Sequence, residues 1–71
     1  MKTLYDVQQL LKQFNIYVYV GKRMWDIDLM ALELDNLYKA GVVDQPTYLK
    51  AKIVLRHEYR LEEEHESNKQ R

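Results

Sequence analysis

Apolar residues at Leu4, Val7, Leu10, Leu11 and Phe14 recur three and four positions apart, the spacing that lines one face of a helix. Residues 3–14 are therefore predicted as a first helix, with Thr3 and Asp6 at capping-box spacing and Asn15 as its stop. Ile16-Tyr17-Val18-Tyr19-Val20 follows, five β-branched or aromatic residues in a row. Extended, they alternate between an aliphatic face (Ile16, Val18, Val20) and a tyrosine face (Tyr17, Tyr19). A single strand has no sheet partner for its backbone groups. The segment is thus expected as an extended connector packed on helices, or as an edge that pairs with another copy. Gly21 permits a turn with positive φ.

The second helix is predicted to start at Asp26 or Asp28 and to run to Ala40. Ile27, Met30, Leu34 and Leu37 form its core stripe, Leu29, Ala31 and Leu32 widen it, and Gly41 occupies the left-handed closing position. Asp44 caps a third helix with Pro46 in its first turn, where a missing N–H costs nothing. Tyr48, Ala51, Val54, Leu55, Tyr59 and Leu61 carry that helix to about residue 61. From Glu62 to Arg71 there is no apolar residue, so the segment can prolong the helix in solution but cannot be buried, and fraying or disorder is expected. The fold class is all-α: a compact three-helix bundle over residues 1–61, with a short extended connector between helices 1 and 2 and a charged tail over 62–71.

Composition narrows the function. With 71 residues and 8.6 kDa the chain holds one core and is too short for a conventional pocketed enzyme. It has no cysteine, which excludes disulfides and thiolate zinc sites. A core this small depends on tight helix packing or on a partner. Polar residues interrupt every apolar run, so no signal or membrane-spanning segment is read and a cytoplasmic location is expected.

Formal net charge is zero, but its distribution is uneven. Residues 26–39 carry four carboxylates against Lys39, net −3; residues 47–60 carry Lys50, Lys52, Arg56 and Arg60 against Glu58, net +3; the tail from Leu61 is net −2. Lys52, Arg56 and Arg60 recur every four residues and so share one helix stripe. The segment Lys22-Arg23-Met24-Trp25, read as a loop, adds two cations and the only tryptophan. Cations beside exposed rings suit single-stranded nucleic acid, since charges follow the phosphates while rings stack on any base. The candidate residues are Tyr17, Tyr19, Lys22, Arg23, Trp25, Lys52, Arg56 and Arg60. Tyr48 and Tyr59 lie on the apolar face of the third helix and are read as core, and the acidic second helix as an ion-pairing neighbour of the third.

Other chemistry is not supported. His57-Glu58 opens like a zinc-protease helix, but Leu61 stands where the second histidine belongs. Glu58, Glu62 and His65 share a face within the charge run and are not read as a metal site. Gly21 and Gly41 are isolated, so there is no phosphate-cradling glycine loop, and Ser67 has no base beside it. No enzyme activity, cofactor or small-molecule substrate is expected.

Thr-Leu-Tyr-Asp-Val-Gln-Gln-Leu-Leu (residues 3–11), the Ile16-to-Val20 run with Gly21 and Arg23, the Leu34-to-Tyr38 segment and Tyr48…Ala51…Leu55-Arg56 together resemble the YqgQ-like family of small proteins from Gram-positive bacteria. The resemblance covers roughly residues 1–60. It implies a compact three-helix bundle and single-stranded nucleic-acid binding. The expected partner is therefore single-stranded DNA or RNA, held by the eight residues above. The alternative is a protein-interaction or self-association module, a homo-oligomer for instance, built on the tyrosine-lined connector or the apolar helix 2–helix 3 hairpin.

Overall fold

The computed structural model describes the backbone of residues 1–69 and the side-chain surroundings of residues 1–65. Three helices, α1 (Leu4–Lys12), α2 (Arg23–Lys39) and α3 (Gln45–Lys69), pack against one another pairwise, with no strand among the described residues. The all-α three-helix bundle is thus the fold.

α1 begins as its sequence dictates. The Thr3 hydroxyl accepts from the Asp6 N–H at 3.4 Å, and the Asp6 carboxylate accepts from the Thr3 and Lys2 N–H groups at 3.2 and 2.8 Å. Those bonds to the charged form hold the Asp6 carboxyl below its ordinary value. The helix ends at Lys12, two residues before Phe14, because Asn15 takes φ 62°. That turn lets the N–H groups of Asn15 and Ile16 donate back to Lys12 and Leu11 at 3.0 and 3.1 Å. α2 ends on the same pair of bonds: Gly41 at φ 77° and Val42 donate to Tyr38 and Leu37 at 3.0 and 3.2 Å. In both places a residue tolerant of the left-handed region satisfies carbonyls that the helix end leaves open.

The start of α2 corrects the sequence reading. It lies at Arg23 rather than Asp26 or Asp28, with Lys22 in the capping position and no side-chain capping bond. Asp26 is buried and turns backwards, its carboxylate accepting from the Val20 N–H. It ties down the connector instead of capping its own helix, and Arg23, Met24 and Trp25 become the first turn of α2 rather than a loop. α3 starts as expected, with Asp44 accepting from the Thr47 N–H at 3.3 Å and Pro46 in the first turn.

α3 continues to Lys69, past Leu61 where its apolar pattern stops. No glycine or proline follows Pro46 to break it, and a helix drawn in solution needs no buried face if its first turns are already packed. Glu62 also turns toward Arg23 at 3.7 Å. The expected tail thus begins as a continuation of α3; residues 70–71 and the side chains of 66–69 lie outside the described residues.

The core is formed by Leu4, Val7 and Leu11 from α1, Ile27, Met30 and Leu34 from α2, and Ala51, Val54 and Leu55 from α3. Fully burying each larger side chain contributes roughly 1.5–3 kcal/mol. The connector is extended, and Ile16 and Val18 pack on this core as their alternation predicts. Val20 departs from it and is exposed, because its N–H is held by Asp26 and the chain turns at Gly21, φ 97°.

Candidate nucleic-acid interface

Alternation along the connector sends its tyrosines outward. Tyr17 and Tyr19 are 71% and 85% exposed, and Trp25 and Tyr5 are 55% and 63% exposed. Tyr17 and Tyr19 line a shallow depression with Gln8, Lys12, Ile16 and Val18. Tyr19 and Gln8 also border an adjoining cleft of about 630 Å³, whose walls include Tyr5, Gly21, Arg23, Asp26 and Glu58. Arg23 in turn borders a third depression with Lys22, Met24, Trp25 and Glu62. Gln8 and Tyr19 border the first two and Arg23 the second and third, so the three adjoin as a furrow across α1, the connector and the first turn of α2, with Glu58 and Glu62 of α3 at its wall. The Asp26 bond to Val20 fixes the connector in place at its α2 end.

Charge along the furrow is partly committed. The Lys22 ammonium lies 4.9 Å from the Trp25 ring centroid, a cation–π arrangement that keeps both groups at the surface. Arg23 donates to the Glu58 carboxylate at 2.7 Å and lies 3.7 Å from Glu62. Its guanidinium is half exposed, so this pair is a solvated one of small net energy that a phosphate can compete for.

The basic stripe of α3 stands apart. Lys52 and Arg56 border a separate groove with Ile27, Asp28, Ala31, Leu55 and Tyr59, and no residue of that groove borders the furrow. Lys52 is already engaged, donating to Asp35 at 3.1 Å and lying 5.8 Å from the Tyr48 ring. The Tyr48 hydroxyl donates to the same carboxylate at 2.7 Å, and the Tyr48 ring stacks on Tyr38 with centroids 4.2 Å apart. The Tyr48 bond, and then Lys52, lower the Asp35 carboxyl below its ordinary value; in return Asp35 raises the Tyr48 hydroxyl. This cluster bolts α2 to α3, as expected for an acidic helix beside a basic one. Arg56 and Arg60 are exposed. The eight residues singled out in the sequence therefore fall into two groups: Tyr17, Tyr19, Lys22, Arg23 and Trp25 along the furrow, and Lys52, Arg56 and Arg60 on α3.

Three furrow residues, Tyr5, Gln8 and Lys12, were not singled out. A signal for them existed, since none belongs to the apolar stripe of α1 and Tyr5 is aromatic. The family model described as YqgQ-like matches residues 1–61, and a Bacillus subtilis (strain 168) protein described as uncharacterized protein YqgQ is 45% identical over 58 residues, 82% of each chain. The chain belongs to the YqgQ-like family. The YqgQ-like match ends with Leu61, so it spans the furrow residues except Glu62, and the charged extension of α3 is outside it. Among the described residues there is no group of three potential metal ligands, and no helix long and apolar enough to cross a membrane.

Proposed function

We propose that this YqgQ-like protein is a non-enzymatic cytoplasmic binder of single-stranded nucleic acid, DNA or RNA, and that the strand follows the furrow. The reading rests on one observation: Tyr17, Tyr19, Tyr5 and Trp25 are exposed rings along three adjoining depressions that also carry Lys12, Lys22 and Arg23. Bases stack on the rings, at about 1–3 kcal/mol per base, without regard to sequence. The cations take phosphates, Arg23 by exchanging a carboxylate for a phosphate oxygen. Lys52, Arg56 and Arg60 contribute only long-range attraction, because they lie outside the furrow and Lys52 is held by Asp35.

The test is fluorescence anisotropy of a labelled single-stranded oligonucleotide at several salt concentrations. With about three phosphates neutralised, the logarithm of the association constant falls with the logarithm of salt at a slope near −2. Absence of binding at low salt, or binding with no salt slope, overturns the proposal.

A further inference from the structure

On the side of α2 away from the core, Trp25, Leu29 and Leu32 are exposed. At 100° per residue they fall within an arc of about 60°, opposite the buried Ile27, Met30 and Leu34. The furrow reaches only Trp25, so nothing described so far accounts for Leu29 and Leu32. α3 has a counterpart: Leu49 and Ile53 are 49% and 65% exposed, one turn apart, on the side facing away from Ala51, Val54 and Leu55. The two ridges carry opposite charge. Asp28 and Glu33 flank the α2 ridge, whereas Lys50, Arg56 and Arg60 surround that of α3, and none of these five is in an ion pair among the described residues.

We infer that the α2 ridge of one molecule docks on the α3 ridge of a second copy. Leu29 and Leu32 cover Ile53 and Leu49, and Asp28 and Glu33 meet the α3 cations. An α2-to-α2 contact would instead oppose Asp28 and Glu33 to their own copies, and an α3-to-α3 contact would oppose arginines; like charges facing one another in an interface disfavour both. The complementary contact joins two different faces, so it is heterologous: in a pair one molecule keeps a free α3 ridge and the other a free α2 ridge, and assembly closes as a ring or grows as a chain. A small core without disulfides gains stability from such a partner. The inference uses no furrow residue other than Trp25 at its margin, and stands independently of nucleic-acid binding.

Sedimentation of the full chain over a range of concentrations tests it. The unmodified protein forms oligomers as concentration rises. Leu32→Glu and Ile53→Glu each weaken association at least roughly tenfold, while circular dichroism shows unchanged helicity because both positions are exposed. If either lowers helicity, Leu32→Ala and Ile53→Ala replace them and shift association in the same direction. The deciding arm is the mixture: Leu32→Glu keeps an intact α3 ridge and Ile53→Glu an intact α2 ridge, so together they form a one-to-one dimer and nothing larger. Tyr19→Ala, which alters the furrow, leaves association unchanged. A protein monomeric at all concentrations, a variant that associates like the unmodified chain, or a mixture that stays monomeric overturns the inference.

Discussion

Lys22 and Arg23 enter α2 beside the exposed rings of the connector, whereas Lys52, Arg56 and Arg60 climb α3 among Leu49, Ile53 and Leu55. Counted along the chain, the α3 group is the stronger cationic feature, with the regular four-residue spacing of a designed stripe. In space it is the weaker candidate for a polyanion. Lys52 is spent on Asp35 and Tyr48, and no aromatic ring is exposed beside Arg56 and Arg60 except the half-buried Tyr59. The furrow has no more free charges but gathers four rings, and Lys22 sits on one of them. A binding surface is thus set by what neighbouring elements place beside each charge, more than by how many charges one helix carries.

Substitutions that separate the two regions follow from this difference. Replacing both connector rings, Tyr17→Ala with Tyr19→Ala, removes two stacking platforms and lowers oligonucleotide affinity roughly a hundredfold at about 1.4 kcal/mol per ring, read by anisotropy. Arg56→Ala with Arg60→Ala changes it by less than about threefold; equal losses in the two double variants would erase the distinction. Asp26→Ala leaves the Val20 N–H without its partner and frees the connector. It is expected to lower stability by about 1–3 kcal/mol in denaturant unfolding and to weaken binding as well. Asp26→Asn, which keeps an acceptor oxygen, is milder on both counts.

Smaller effects refine the picture. Glu58→Gln releases Arg23 from its closest carboxylate and tightens oligonucleotide binding about two- to fivefold at low salt, with a steeper salt slope. A loosening there would mean that the ion pair positions Arg23 rather than competing for it. On acidification the Asp35 cluster of the α3 region and the Asp6 cap of α1 both respond. Each carboxyl is held below its ordinary value in the fold, so each contributes stability that is fully present above that value and is lost as pH falls through the lowered one. Thermal unfolding followed from pH 6 downward should therefore be flat at first and decline only below about pH 4, the ordinary carboxylate range. Asp35→Asn flattens part of that decline.

Much of the fold was legible because its signals are local. Thr3 with Asp6, Gly41 and Asp44 with Pro46 each mark a helix end within four residues of chain. The beginning of α2 was not legible, because the aspartate that resembles a cap is used by a backbone group six positions earlier. A carboxylate near a helix start satisfies whichever N–H the tertiary fold brings to it, and only the path of the connector decides which. The end of α3 was left open for a related reason: its apolar stripe stops at Leu61, whereas its backbone bonds need no stripe to continue. At the interface, the exposure of Tyr17 and Tyr19 was readable from alternation alone. Their grouping with Tyr5 rather than with Lys52, Arg56 and Arg60 depended on how α1 and α3 pack, which periodicity within one helix does not encode.

On the proposed function a single strand lies in the furrow and not on α3. Amide and indole N–H chemical-shift mapping during titration with a short oligothymidylate examines it residue by residue. The expected result is a set of shifts at Tyr5, Gln8, Tyr17 through Lys22, and the Trp25 indole, with Ile53 through Arg60 nearly unmoved apart from Glu58. Shifts confined to Lys52, Arg56 and Arg60 and their neighbours, or no shifts at all, would contradict it.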